Sequence, residues 1–483
     1  MKRVSIVLIF FLIAVIKICN AQKYDYNWVF GDSVGIDFNN LTSPVTYVPI
    51  MHGGLDENYA SVSDSSGNLL FYLNYDSISP NWNYSSIYNK NYLLMDNGDS
   101  IPTHRSCTQG MIIIPFINDT NKYYLIYLCY NSQFIGLYYA VVDMSMNSGD
   151  GKVISKNNLL LAGTFTEKLT AVRHGNGRDW WIFTHDLNNA KFNKILLTTS
   201  GFSPASSQFF GPIASGGMGQ MVFSPKGSRL CVANQQAWPS LGLFDFDRCT
   251  GMLSNWKTIN IAGYYGCSFS PDESKLYLSS LQSGGSLYQY NLDSLNFAAT
   301  QSLIFSAPVN YAICQHLLGP DNKIYIASEY INNPNTIYSI YNMNLTVINN
   351  PDSAGANCNV SPYSFYLGGK RTLGGLPNMV NYRLEPLPPG TCDSAVSIAS
   401  DFSQPVIKIS PNPFSSNITL SFLFPQNSKA LLKIYNIIGE AIVEKEIFLQ
   451  DQLLDLSELQ QGIYLLSVRM NNGFYTQKIV HSN

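Results

Sequence analysis

The stretch FSPDESKLYLSS, from Phe269 to Ser280, is written three times with small changes. FSPKGSRLCVAN runs from Phe223 to Asn234, and LGPDNKIYIAS from Leu318 to Ser328. In each, a proline follows a serine or glycine and precedes a polar residue, and a strongly β-forming run comes next. Proline at the second turn position presets φ near −65°, and a neighbouring Asp, Asn or Ser hydrogen-bonds back to the chain. The reading is a hairpin turn between two strands. Earlier turns of the same kind fall at SDSSGN (Ser63–Asn68), NDTN (from Asn118) and HGNGRD (His174–Asp179). The six turns recur about every fifty residues, a period that signals a repeat architecture.

Each turn is preceded by a short alternating segment and followed by a β run such as KYYLIYLCY or WWIFTHD. Most units then carry two more strand-like segments; in the unit around Ser270 they are SLYQYNL and ATQSLIF. Four strands per unit, with almost no helical periodicity, point to a β-propeller of the WD-repeat-like or lactonase-like kind. One blade cannot bury both faces of its sheet, and stacking between neighbours does so. An array of sandwiches is the alternative, but fifty residues is short for one. The ends predict how the ring closes. LPNMVNYRL (Leu376–Leu384) reads as a lone innermost strand, and YNWVFG, VGIDFNN and PVTYVPI (Tyr26–Ile50) as three strands that lack one. Joined, they make a seventh blade and leave no exposed edge. The expected organisation is a signal peptide over 1–21, a seven-bladed propeller over 22–385, a linker over 386–403 and a tail domain over 404–483.

Composition narrows the partners. Charged residues are only 13% of the 483, the net charge is −3 and the pI about 6.1, so no basic field is available to hold nucleic acid. Lys2 and Arg3 precede the apolar run VSIVLIFFLIAVI (Val4–Ile16), and Ala21 before Gln22 is a small-residue cleavage site. Cys19 as a lipidated residue is disfavoured, because Ile18 stands where a small residue is needed. No later segment holds eighteen uninterrupted apolar residues, so no span is expected in the mature chain. Of nine cysteines, eight lie beyond Ala21, with no CxxC and no histidines at zinc-site intervals. No metal or other cofactor is expected. Cys107 and Cys129 stand almost symmetrically about the NDTN turn, either as a cross-strand disulfide or as two buried thiols.

After the Pro-rich break EPLPPGTCDS the texture changes to alternating strands separated by Asn-Pro, Ile-Gly and Gln-Gly turns, enough for a small β-sandwich. This tail resembles the C-terminal sorting domain of type IX secretion cargo in Bacteroidetes-type bacteria. The matching residues are Pro411, Asn412, Pro413 and Phe414, then Ile434, Tyr435, Asn436 and Gly439. Leu454, Asp455, Leu456, Leu459, Gly462, Ile463, Tyr464 and Val468 follow, and Lys478, Ile479 and Val480 close the match. The resemblance implies export by the signal peptide, recognition of the tail by the type IX machinery at the outer membrane, and a cargo released or held at the surface. ENYASVSDSSGNLLFYLN, EKLTAVRHGNGRDWWIFTHD and LFDFDRCTGMLSN likewise resemble a group of surface-exported propellers of the same bacteria. That group brings no chemistry that transfers to named residues.

Searching for chemistry yields little. His185 stands beside Asp186, and such a pair can orient a base, but no GxSxG elbow accompanies it. His174 sits in a turn, and His316 falls on the innermost strand of the sixth unit, facing the channel. DFDRCTGMLSN from Asp245 lacks the EF-hand glycine and terminal glutamate. The fold itself places a site at the channel mouth, where the innermost strands begin. Counting back from the turns puts Glu57, Gln109, Glu167, Lys168, Gln220, Tyr265 and Tyr311 there. The set suits a polar ligand such as a glycan or peptide, and equally suits ordinary loop ends. The expected function is a surface or secreted binding and adhesion scaffold. The alternative is a propeller enzyme, a lactonase or glycan lyase, with its site at the same mouth.

Overall fold

A computed structural model of the chain describes residues 22–482 apart from 51–56, 76–83, 131–134, 212, 214–215, 237–239, 260–262, 333–336, 393–406, 423–425, 438 and 471–472. The export segment, 1–21, lies outside the described residues.

Between Asn27 and Tyr366 the described residues form seven small antiparallel sheets in chain order. The first pairs Asn27–Phe30, Val34–Asp37 and Val45–Tyr47. The second pairs Ser61–Ser63, Leu69–Tyr75 and Ser85–Asn89, and the third Met111–Pro115, Lys122–Tyr130, Ile135–Asp143 and Lys152–Leu161. The fourth is built on Phe165–Arg173, Trp180–Asp186 and Lys191–Thr198, with two short outer strands. The fifth runs Met221–Phe223, Arg229–Ala233, Leu241–Asp247 and Met252–Lys257. The sixth runs Tyr264–Phe269, Lys275–Ser280, Ser286–Asn291 and Ser302–Ser306, and the seventh Tyr311–Leu318, Ile324–Tyr330, Asn344–Ile348 and Val360–Tyr366. First strands of most successive sheets touch one another, so they line a common axis, as in a propeller. Trp28 of the first sheet packs edge-on against Tyr325 of the seventh, 5.4 Å between ring centres. The buried side chains between sheets are mostly aliphatic and tyrosyl, including Tyr72, Tyr127, Tyr265, Tyr277 and Tyr290.

All six turns connect the first and second strands of a sheet. In the sixth sheet Glu273 N–H donates to Ser270 O (3.0 Å), and Asp272 Oδ1 accepts from Ser270 Oγ (2.7 Å) and Ser274 N (2.8 Å). The fourth turn position needs positive φ to rejoin the ladder. It is Gly227, Glu273 or Asn322 in the three quoted copies, with φ of 69°, 69° and 62°. Glu273 also reaches the preceding blade. Its carboxylate accepts from Lys226 N (2.5 Å) and Ser228 Oγ (2.9 Å), which ties neighbouring turns together.

One expectation meets a different outcome, and one open alternative is decided. Leu376–Leu384 forms no ladder; its one pairing is a parallel bridge between Pro377 and Tyr59. Proline lacks the donor a strand needs there, and the segment lies along the axis instead. Cys107 and Cys129 are buried free thiols. The ladder between Met111–Pro115 and Lys122–Tyr130 starts at Met111↔Tyr127, so Cys107 and Cys129 both lie outside it, and Cys107 is four residues before its first pair while Cys129 is two past it. The disulfide joins Cys249 to Cys392, 143 residues apart, and clips the linker to the hairpin between Leu241–Asp247 and Met252–Lys257.

The tail is a two-sheet β-sandwich. One sheet pairs Ile407–Ser410, Asn417–Phe422 and Gln452–Asp455. The other is ordered Ala441–Leu449, Gln426–Tyr435, Gly462–Met470, Gly473–His481. Ile409, Ile418, Leu420, Leu432, Ile434, Leu466, Val468 and Ile479 fill the space between them, as alternation along each strand requires.

Candidate functional site

The axis has two ends. At the end where the first strands begin, the structure brings together six of the seven expected residues. Gln109 N–H donates to Glu167 O (2.9 Å), and Gln109 Oε1 accepts from Met221 N (2.5 Å). Glu167 Oε2 accepts from Thr108 N (3.0 Å) and Thr108 Oγ1 (2.8 Å). Lys168 is fully buried and donates to Gly217 O (2.7 Å) and Met218 O (3.0 Å). Burial pushes its ammonium down to about 8, against the pull of Glu167. Gln220 Oε1 accepts from Cys267 N (3.1 Å) and His316 N (2.8 Å), while its amide donates to His316 O (3.0 Å). Tyr265 is buried, and its hydroxyl lies near Thr108, Glu57 and Glu167. Glu57 is buried and its carbonyl accepts from Gln315 Nε2 (3.1 Å).

These groups bond chiefly to one another and to backbone. The amides of Gln109, Gln220 and Gln315 stitch first strands of different sheets together across the axis, because buried backbone donors there have no ladder partner. Gln315, which also donates to Thr108 O (2.6 Å) and accepts from Leu376 N (2.9 Å), was not expected. Its signal was available: it stands five residues before Pro320, as Gln220 stands before Pro225. Tyr311 does not join the group. Its hydroxyl donates to Ser339 Oγ (2.7 Å), and its ring packs on Tyr330 and Tyr341 between sheets.

From Gly374 the chain runs along the axis to the other end. Asn378 accepts from Gln109 Nε2 (3.1 Å) and donates to Leu169 O (2.8 Å). Tyr382 OH donates to Ile113 O (2.7 Å) and Asn381 Nδ2 to Pro225 O (2.8 Å). Leu387 N–H then bonds Gly175 O (2.8 Å). Arg248, buried, holds this exit with donations to Glu385 O (2.8 Å) and Arg173 O (3.0 Å). Burial lowers its pKa to about 10, with Arg173 adding to the effect.

Beside this segment, at the turn end, lies a cavity of about 540 Å³. The repeated turns form its wall: Phe223, Pro225 and Lys226; Phe269 and Pro271; Leu318 and Asn322. Asp25, Arg248, Asn381, Arg383 and Glu385 add polar groups, and Gln109, His316 and Asn378 reach it from the axis. Arg383 Nη2 pairs with Asp25 Oδ2 at 3.0 Å. Burial raises the Asp25 pKa, and Arg383 pulls it back. His316 is buried between two hydroxyls, Ser268 Oγ at 3.3 Å from Nδ1 and Ser279 Oγ at 2.8 Å from Nε2. Burial drops its pKa to about 3, so the ring is neutral. Ser279 donates to Cys314 O (3.1 Å), which leaves its oxygen to accept from Nε2–H and Nδ1 to accept from Ser268.

His185 and His174 serve the fold. His185 Nδ1 lies 2.9 Å from the backbone oxygen of Asp186, whose carboxylate takes Asn193 Nδ2 (2.6 Å) instead. His174 caps its own turn and meets Cys249 O at 2.9 Å. Asp247 accepts from Cys249 N (2.8 Å) and Thr250 Oγ1 (2.9 Å), as a turn cap does. Among the described residues, no three His, Cys, Asp or Glu side chains gather as a metal ion requires, and no helix is long and apolar enough to cross a membrane.

In the tail, Asn412 binds the last strand, donating to Lys478 O (2.9 Å) and accepting from Val480 N (2.9 Å). It sits between two cis prolines, Pro411 and Pro413. Gly439 turns at φ 84°, Gly462 pairs with His481, and Tyr464 OH donates to Gln460 O (2.6 Å). Gly439, Tyr464 and Lys478 line one shallow hollow with Tyr435, Asn436, Ile437, Ile463 and Leu465.

Residues 408–482 match the secretion system C-terminal sorting domain. No curated protein matches the chain significantly. Solved structures of similar shape include a Bacteroides uniformis protein provisionally named a 6-phosphogluconolactonase, at 11% identity and TM-score 0.42, covering 65% of this chain and 95% of that one. Another is the Cps50 (Swd1) β-propeller domain of Myceliophteria thermophila, at 10% identity and TM-score 0.36, covering 63% and 93%. TM-scores below 0.5 carry no weight, and the propeller rests on the strand order itself. The chain thus joins a β-propeller, read from its strand order, to a secretion system C-terminal sorting domain, and that domain directs it to the cell surface or the medium by type IX secretion.

Proposed function

We propose that the propeller is a non-enzymatic binding scaffold, and that its ligand sits in the axial cavity at the turn end. The observation that supports this is the cavity of about 540 Å³, within the usual small-molecule range of roughly 300–1,000 Å³, lined by both apolar and charged groups. At the opposite end Gln109, Glu167, Lys168 and Gln220 are committed to one another and to backbone, so a ligand there would have to break buried hydrogen bonds. In this reading residues 22–385 close as one ring of seven blades, 386–403 are linker, and the 404–483 domain presents the sorting signal. Pro411, Asn412 and Pro413 shape its last-strand edge, Gly462 starts the strand paired to it, and Gly439, Tyr464 and Lys478 line the hollow that meets the secretion machinery.

The test is ligand-observed NMR on the chain with a fragment set spanning neutral hydroxylated, anionic, cationic and aromatic classes. At least one class should bind, and Val222→Trp, which fills the cavity, should abolish that binding. If no class shows signals sensitive to Val222→Trp, the reading fails. The Ser268–His316 contact at the cavity favours a second reading, a hydrolytic enzyme. It predicts turnover that Ser268→Ala removes while ligand binding persists.

A further inference from the structure

Within the cavity, the ion pair Asp25–Arg383 is half-satisfied. Asp25 Oδ2 takes Arg383 Nη2, and Arg383 Nη1 reaches Pro320 O at 3.4 Å. Asp25 Oδ1 and Arg383 Nε are buried, and neither has a hydrogen-bond partner among the described residues. Asp25 itself is only 6% exposed. A buried carboxylate oxygen and a buried guanidinium N–H left unmade carry their full desolvation cost, larger for charged groups than for neutral ones. Such orphans ask for a partner from outside the chain.

We infer that the cavity takes a neutral, polyhydroxylated ligand such as a sugar, and that one of its hydroxyls bridges Asp25 Oδ1 and Arg383 Nε. A hydroxyl donates one hydrogen bond and accepts others, so it answers both orphans at once. An anion would be repelled by the free Asp25 oxygen, and a cation would find the Arg383 charge in its way. A purely apolar ligand would leave both groups unmade. Val222, Phe223 and Phe269 on the same cavity supply the apolar wall that the carbon face of a ring-shaped polyol needs. This inference rests on the binding-scaffold reading and adds the chemical class and the two residues that read it.

The experiment uses the chain and two panels. The first is methyl glycosides and cyclic polyols against sugar phosphates, amines and aromatic fragments, followed by NMR. Neutral hydroxylated compounds should be the ones displaced by Val222→Trp. The second panel is a deoxy series of the best binder on the unchanged protein. Removing the bridging hydroxyl should weaken binding roughly 10- to 100-fold, the range of a hydrogen bond to a charged group, and removing others far less. Asp25→Asn should weaken binding by a similar factor and flatten the deoxy preference. If charged or aromatic fragments bind in a Val222→Trp-sensitive way while polyols do not, this inference is overturned and the binding-scaffold reading stands. A deoxy series with no privileged position also overturns it. If nothing binds at all, both fall together.

Discussion

Replacing His316 by glutamine tests how the axis is held. The buried ring stays neutral because its pKa is driven down to about 3, while in the unfolded chain it returns to its usual 6.5. The folded pKa lies below the unfolded one, so as pH falls the unfolded chain takes up a proton that the folded chain refuses. Stability is therefore full above pH 6.5 and is lost as pH falls from 6.5 toward 3. Between pH 7 and pH 5 the loss from this one group comes to about 2 kcal/mol by linkage. His185, also held near 3 by burial with Lys168 adding to it, contributes a second loss of about the same size. Urea unfolding followed by tryptophan fluorescence at pH 7, 6 and 5 reads the sum. His316→Gln breaks contacts with Ser268 and Ser279, so it lowers stability at every pH. Its diagnostic effect is on the slope: the drop between pH 7 and pH 5 should shrink by about 2 kcal/mol. A variant that loses stability over that interval as steeply as the parent would refute the reasoning.

Three further outcomes follow from the same structure. Gln220→Leu leaves Cys267 N, His316 N and His316 O unpaired in the axis and should cost about 3 kcal/mol or more, read as a fall in the urea midpoint. Cys392→Ser opens a bridge spanning 143 residues, whose loop entropy alone is worth about 5 kcal/mol, and should lower the urea midpoint; peptide mapping of the unsubstituted chain, alkylated in denaturant without reduction, should recover Cys249 joined to Cys392 and alkylated Cys107 and Cys129. Deleting 403–483 should leave the propeller in the periplasm, and ordinary surface delivery of that truncated chain would contradict the sorting assignment.

The strands and their turns were readable because their causes are local. Pro271 and Asp272 shape a turn whatever lies elsewhere, and the β-forming run LYLSS after it reads as a strand, which stacking then buries on both faces. The tail was readable for another reason, a dense set of turn and core residues at fixed spacing. The candidate site was legible only in part. Fixed counting grouped Gln109, Glu167, Lys168 and Gln220 correctly in space, but it picked Tyr311 where the ladder shift between Ile313 and His316 makes Gln315 the axial residue. The cavity had no local signature at all. It exists because Asn378 to Leu387, past the last repeat, lie along the axis, and its ion pair joins Asp25 to Arg383 from opposite ends of the propeller. Likewise nothing in a Pro-rich linker marks Cys392 as the partner of Cys249.

The clip at Cys392 has a mechanical meaning. The sorting domain follows Cys392 in the chain, so traction on the tail would reach the propeller there, and the stretch before it lies along the axis. Without an anchor, traction on the tail would draw that stretch out like a ripcord, unseating Arg383, Tyr382 and Asn378 in turn. Because Cys392 is bonded to the outer hairpin at Cys249, and Arg248 next to it grips Glu385, the load passes into the fifth sheet before it reaches the axis. The bridge thus puts a covalent stop between the sorting domain and the axial stretch. In single-molecule pulling from the tail, the oxidised propeller should resist to a higher force than the reduced one, whose axial stretch should peel first.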